Sequence, residues 1–168
     1  MFRPIIFSVR LGAIALFLSS CAVLSVGGNA SAYRDLTVGA GEATSRDIFV
    51  KAPRILDRYQ YEIVRQEESS HQLYFETRWQ LRSPLDDERL LGVVETRTRL
   101  TIQARPRRAA AVSGAANLYI VQIVAENMVR LSDHEEWIRI ANTDMYKAYV
   151  RSVAEDLKNE FRMSMRRF

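Results

Sequence analysis

Leu73-Tyr74-Phe75-Glu76-Thr77-Arg78-Trp79-Gln80-Leu81 is the stretch that decides the fold class. Its odd positions, Leu73, Phe75, Thr77, Trp79 and Leu81, carry the apolar side, while Glu76, Arg78 and Gln80 point the other way. Successive side chains of a strand leave on opposite faces, so the alternation predicts one strand with a face in the core and a face in water. Upstream, Tyr59-Gln60-Tyr61-Glu62-Ile63-Val64 alternates as well, and the polar turn Glu67-Glu68-Ser69-Ser70 makes the two runs a hairpin. Downstream, Ser83 to Glu88 interrupts the sheet. Val94, Thr96, Thr98, Leu100, Ile102 and Ala104 then alternate against Glu95, Arg97, Arg99, Thr101 and Gln103, which predicts a long strand with a polar, cationic outer face.

Leu118 to Val129 reads as a fourth strand. Leu118, Ile120 and Val124 lie on one side of it, and Tyr119, Val121, Ile123 and Ala125 on the other. Two apolar faces suit a strand covered on both sides, or one whose outer face meets a partner. Arg105 to Ala116 reads as a loop, and Leu131 to Ile140, with Trp137, as either a short strand or a loop.

Helical spacing brackets these strands. Thr44 with Asp47 resembles a capping box, and Ile48, Phe49, Ala52, Ile55, Leu56 and Tyr59 fall on one stripe, which predicts a helix over about residues 45–58. Pro53 inside it predicts a kink or a restart, because proline deletes a hydrogen bond and crowds the preceding turn. From Thr143 onward, Tyr146, Tyr149, Val150, Val153, Leu157 and Phe161 make a second stripe, with Asp144 in the first turn and Arg162 near the end. Packing both stripes on one side of a meander gives the expected fold: α+β, a two-layer sandwich of a four-stranded antiparallel sheet with an N-terminal and a C-terminal helix on one face.

The N-terminus carries an address. Arg3 and Arg10 form a charged start, Leu11 to Leu18 a short apolar run, and Leu18-Ser19-Ser20-Cys21 closes it. These four residues resemble the lipobox of bacterial lipoproteins: an aliphatic residue, two small residues and the cysteine. The resemblance implies recognition of Leu18, Ser19 and Ser20 by a signal peptidase, cleavage before Cys21, and acylation of Cys21. Two or three acyl chains hold a protein stably on a bilayer where one does not. The expected organisation is a signal peptide over 1–20, a lipidated Cys21 and tether over 21–43, and one α+β domain over 44–168. Two other readings remain for this segment. An uncleaved anchor over residues 5–26 is interrupted by Arg10, and a secretory cleavage at Ala30-Ser31-Ala32 lies far beyond the apolar run. All three place the domain outside the cytoplasm.

Composition narrows the classes. The formal net charge of the 168-residue chain is +4, and loss of Arg3 and Arg10 with the signal leaves it near +2. The charges are interspersed, which argues against a nucleic-acid partner. Cys21 is the one cysteine, so the fold has no disulfide and relies on its apolar core.

Candidate chemistry is sparse. His71 reads as a surface histidine, His134-Glu135-Glu136 as a solvated acidic loop, and Asp86-Asp87-Glu88 as an exposed tip without the spacing of a calcium loop. No cofactor, metal site or catalytic residue is expected. The outward row Arg78, Arg97 and Arg99 suits phosphate or carboxylate groups, against the plainer reading of a solvated face with Arg pairs to Glu76 and Glu95. Trp79 and Trp137 read as core anchors before interface anchors, and Arg162 to Phe168 as a frayed basic end or a lipid contact.

The layout resembles small outer-membrane lipoproteins of envelope assembly, similar in outline to the lipoprotein that plugs a lipopolysaccharide-transport barrel and to helix-grip domains of barrel-assembly accessories. The resemblance implies a non-enzymatic accessory component in cell-envelope assembly or maintenance, held by acyl chains on Cys21 and meeting an envelope protein through one sheet face or the loops Pro84 to Leu90 and Arg105 to Ala116. Ala22 after Cys21 favours the outer membrane, facing the periplasm, in a diderm host. The alternative is a small-ligand or lipid-binding module with a cavity lined by Phe75, Trp79 and Ile102. A hydrolase with a dispersed site around His134 and Glu135 is the third reading.

Overall fold

The computed structural model describes residues 34–69, 71–107, 118–131 and 136–165. It is an α+β fold with an open antiparallel sheet and three helices. In chain order these are β1 (Leu36–Thr44), α1 (Ser45–Arg58), β2 (Ile63–Glu68), β3 (Leu73–Thr77), β4 (Gln80–Arg82), α2 (Asp86–Leu90), β5 (Val93–Pro106), β6 (Leu118–Leu131) and α3 (Asp144–Met165). The spatial order is β1-β6-β5-β3-β2, with β4 continuing the β3 position along the edge of β5.

The sheet therefore has six strands where four were expected, and each difference has a local cause. β1 lies inside the stretch read as tether. Gly39 and Gly41 dilute its pattern, and Gly41 sits at φ +90° beside a register shift, a conformation that favours glycine. Its ladder exists only through pairing with β6, from Leu36 opposite Ala125 to Thr44 opposite Leu118. The first hairpin strand begins at Ile63 rather than Tyr59, because α1 runs to Arg58 and Tyr59-Gln60 turns the chain, with Gln60 in the left-handed region. Glu67 and Glu68, read as turn, are paired with Tyr74 and Leu73.

The stretch 73–81 is two strands. At Arg78 the backbone N–H bonds to the Glu62 carbonyl instead of the β5 ladder, and the alternation changes phase across Arg78-Trp79. Leu81 consequently faces out, 65% exposed, and Arg82 faces in. A second phase shift, between Val93 and Glu95, turns Val94 outward and leaves Thr96, Thr98, Leu100, Ile102 and Ala104 buried as the alternation required.

The α1 reading holds over Ser45–Arg58. Thr44 accepts a hydrogen bond from the Asp47 N–H at 3.1 Å and donates to its carboxylate at 2.8 Å. The helix runs on through Pro53 without restarting. The helices are arranged differently from two equivalent struts on the sheet: α3 packs mainly on β1, α1 mainly on α3, and short α2, which links β4 to β5 in the chain, packs on β5 and α3. Phe49 of α1 meets Phe75 of β3 edge to face at 5.3 Å. Ile48, Ile55 and Leu56, with Val150, Leu157 and Phe161, close one core over Leu100, Ile102 and Ile123.

At one end this core turns polar. Glu88, fully buried, receives both terminal nitrogens of Arg82 at 2.7 and 2.5 Å, the Asn127 amide at 3.0 Å and the Leu85 N–H at 2.8 Å. Arg82 also donates to Thr98, Asn127 and the Ser83 carbonyl, so all five of its N–H groups are occupied, and it lies 5.2 Å over the Tyr146 ring. The acidic trio read as an exposed tip is thus three structural contacts. Asp86 pairs with Arg89 at 3.0 Å, Asp87 accepts the Met145 N–H at 2.8 Å at the start of α3, and Glu88 is in the core.

Removing one member of a buried pair strands the other charge, so Glu88→Ala is expected to lower stability by about 3–5 kcal/mol. Asp86→Ala, which breaks an exposed pair, is expected to change it by less than about 1 kcal/mol in the same denaturant titration. Burial also pushes the phenols of Tyr61 and Tyr146 far above their ordinary value of 10.0. Their raised values favour the fold below pH 10, and that contribution is lost as pH rises above 10, where the unfolded chain alone ionises. The urea midpoint should hold up to about pH 9 and fall beyond pH 10, with a shallower fall in Tyr61→Phe.

Candidate functional site

Pairing of β5 with β6 fixes the outer face. Arg99 stands opposite Glu126, Arg97 opposite Met128 and Glu95 opposite Arg130, all pointing away from the helices because their neighbours Thr98, Leu100 and Asn127 point in. Arg99 bridges Glu76 at 2.7 Å and Glu126 at 2.6 Å, and Arg130 pairs with Glu95. Glu126 also receives Arg139 at 3.0 Å, which reaches Asp35 at 2.6 Å. The Tyr74 phenol is raised by burial and by its 3.0 Å hydrogen bond to Glu76.

Arg97 is treated differently. Its guanidinium lies 4.9 Å from the centre of the Trp79 ring and 4.5 Å from that of Trp137. Trp79 also receives Arg99 at 4.9 Å, and Trp137 receives Arg130 at 5.5 Å, so the contacts run Arg99, Trp79, Arg97, Trp137, Arg130. Among the described residues Arg97 has no carboxylate partner: one terminal nitrogen contacts the Met128 sulfur at 3.4 Å, and Nε is buried with no acceptor. The planar, weakly hydrated guanidinium suits stacking between indoles. The same group keeps donors with no strong internal acceptor, on a face that the helices do not cover.

Two connections build this arrangement. The break between β3 and β4 delivers Trp79, and the segment after β6 delivers Trp137, held next to the sheet by the two 2.9 Å hydrogen bonds between Val129 and Ile138. Of the region left open as strand or loop, the described residues 136–140 hold an isolated bridge at Ile138. Both tryptophans, read first as core anchors, are part-exposed on the outer face; Trp79 left the inward parity when the strand changed phase.

Of the row Arg78, Arg97 and Arg99, the structure brings together the last two. Arg78, at the break, pairs instead with Glu62 at 3.4 Å. The Arg99 pair to Glu76 agrees with the plainer reading of the face, whereas Glu95 serves Arg130. The Pro84 to Leu90 loop contains α2; of the Arg105 to Ala116 loop, Arg107 pairs with Glu42 at 2.8 Å and 108–117 lie outside the described residues. Leu18, Ser19, Ser20, Cys21, His134, Glu135 and the tip 166–168 also lie outside them. Among the described residues no three His, Cys, Asp or Glu side chains are grouped to hold a metal ion.

The three residues posited to line a cavity between sheet and helices do not share one side of the sheet. Phe75 and Ile102 are fully buried in the core, and Trp79 is on the other side of the sheet. A hollow of about 260 Å³ lies instead between α1 and α3, lined by Lys51, Arg54, Glu160, Met163 and Ser164, and Lys51 already donates to the Glu160 carbonyl at 2.5 Å. Sequence reasoning missed the buried group Arg82, Glu88, Thr98 and Asn127. The signal present, an Arg and a Glu six residues apart around Ser83-Pro84, is hidden by the phase change before it.

No protein-family model matches the chain, and no curated protein matches it.

Two stacking contacts make Arg97→Ala cost about 1–2 kcal/mol in unfolding free energy, with altered tryptophan emission. Arg78→Ala is expected to stay within about 0.5 kcal/mol of the parent in the same measurement.

Proposed function

We propose that this chain is a lipoprotein anchored by acyl chains on Cys21 and facing the periplasm, acting as a non-enzymatic interaction component in envelope assembly or maintenance. In a diderm host its membrane is the outer one. The observation that supports an interaction role is Arg97, stacked between Trp79 and Trp137 with no carboxylate partner among the described residues. Trp and Arg in part-desolvated clusters are the residues from which binding hot spots are built. A partner that brings a carboxylate or a backbone carbonyl to the terminal nitrogens of Arg97, one of which contacts only the Met128 sulfur, meets a cation without a carboxylate, and the flanking indoles supply apolar area. Every other arginine of the cluster is already committed to carboxylates, so the binding determinant is one residue wide. Cys21 supports the anchor through its place at the end of Leu18-Ser19-Ser20.

The test is co-purification from gently solubilised membranes of full-length chain, parent against Arg97→Glu, with Arg78→Glu as the charge-matched control. A stoichiometric envelope protein retained by the parent and by Arg78→Glu, and reduced at least about tenfold by Arg97→Glu, is the expected result. Equal recovery with all three removes the outer face from the interaction. The anchor is tested separately: labelled fatty acid should enter the parent and be absent from Cys21→Ala, and incorporation into the variant refutes the lipobox reading.

A further inference from the structure

The end of the sheet formed by α2, the start of β5 and the start of α3 carries apolar side chains that the fold does not use. Leu90 is 88% exposed, Leu91 57%, Val94 50% and Met145 42%. These four come from separate turns. Leu90 ends α2 and Leu91 caps it ahead of Gly92 at φ +80°, Val94 is the outward residue of the register shift, and Met145 is in the first turn of α3. The 2.8 Å hydrogen bond from the Met145 N–H to Asp87 holds α2 against α3 and so keeps the four at one end.

The described chain begins beside the middle of β6, Leu36 standing opposite Ala125, and leads toward the same end. β1 runs antiparallel to β6, so its first residues point toward the Leu131 end of β6, where β5 starts opposite it at Val93. The Arg34 carbonyl accepts from the Asn142 side chain at 2.9 Å, two residues before α3, and Asp35 pairs with Arg139. Twelve residues, Ala22 to Tyr33, connect this point to Cys21. A chain of that length spans at most about 40 Å fully extended, and about 20 Å as a Gly/Ser-rich coil. An anchor at Cys21 therefore puts this end of the domain, the nearer one to the first described residues, within reach of the bilayer.

We infer that Leu90, Leu91, Val94 and Met145 form a second, non-covalent membrane contact, inserting into the lipid surface to which Cys21 is tethered. The inference rests on the anchoring reading. Its chemistry is apolar, since the neighbouring charges are paired with each other: Asp86 with Arg89 at 3.0 Å and Asp144 with Lys147 at 2.9 Å. The contact would orient the domain with the sheet rising from the membrane and the Arg97 face turned sideways, toward a neighbour in the same leaflet.

The experiment uses full-length Leu90→Cys purified from membranes and reconstituted into vesicles of phosphatidylethanolamine and phosphatidylglycerol. Because Cys21 is the chain's one native cysteine, acylation leaves position 90 as the only free thiol for an environment-sensitive fluorophore. Glu68→Cys, at the far end of the sheet, is the control. Mass spectrometry of the Cys21 peptide accompanies each sample. The expected result is blue-shifted emission at position 90, quenched by a lipid-borne quencher, with water-like emission at position 68; adding Leu91→Asp and Val94→Asp should return position 90 to water. Water-like emission at both positions, with Cys21 acylated, overturns the inference and leaves the anchor standing. Shielding of position 90 in native membranes but not in protein-free vesicles assigns the patch to a protein and also overturns it. Fluorophore on an unacylated Cys21 overturns the anchoring reading, and this inference with it.

Discussion

The ladder between β5 and β6 is the constraint on which the rest of the molecule depends. Two strands of 14 residues each pair from Val93 opposite Leu131 to Pro106 opposite Tyr119, with one register shift near the start. A period of two leaves each side chain no choice of face once the register is set. Thr96 to Ala104 and Val121 to Val129 therefore send one parity into the core, where α1 and α3 close over it, and the other parity outward as Arg97, Arg99, Glu126, Met128 and Arg130. Core and candidate surface are opposite sides of one set of backbone hydrogen bonds. A one-residue slip would bury the arginines and expose Leu100 and Ile102.

The second organising feature is the Arg82–Glu88 pair, where five elements meet. Arg82 comes from β4, Glu88 from α2, Asn127 from β6 and Thr98 from β5, with the Tyr146 ring of α3 beneath the guanidinium. Burying two charges costs several kcal/mol per ion in desolvation, and here the cost is offset by complete hydrogen bonding of both groups. Such a pair contributes geometry more than net stability. It locks short α2 in place, and α2 through Asp87 caps α3, so a three-residue strand and a five-residue helix are held without a large apolar contact of their own. The exposed Leu90 and Leu91 are a by-product of the same fixing: the turn that seats Glu88 leaves its next residues outside.

The proposed interaction role rests on a contrast between neighbours. Arg82 and Arg99 are matched to carboxylates, and their role ends inside the molecule. Arg97, two residues from Arg99 on the same strand face, is matched to indoles and a thioether sulfur and keeps hydrogen-bonding capacity unused. Stacking stabilises a guanidinium without consuming its in-plane donors, which is why an arginine held this way is suited to a partner's acceptor.

What was legible in the sequence was whatever short-range periodicity determines. The alternation of 94–104 and 118–129 sorts most of the residues of β5 and β6 to their observed faces, the Thr44–Asp47 spacing places the start of α1, and the stripe from Tyr146 to Phe161 places α3. The lipobox resemblance at Leu18 to Cys21, from which the anchor is proposed, is likewise a local pattern, read without any fold. Tertiary structure alone decided the rest. β1 exists because β6 offers it a free edge, and its glycines carry no strand signal. Phase changes at Arg78-Trp79 and at Val94 exchange the faces of Trp79, Leu81 and Arg82, and no periodicity can announce where a ladder will shift by one residue. The stack of Trp79, Arg97 and Trp137 joins residues up to 58 positions apart through one such shift and one isolated bridge. Local sequence determines which way a side chain points relative to its neighbours; only pairing across the sheet determines what it meets.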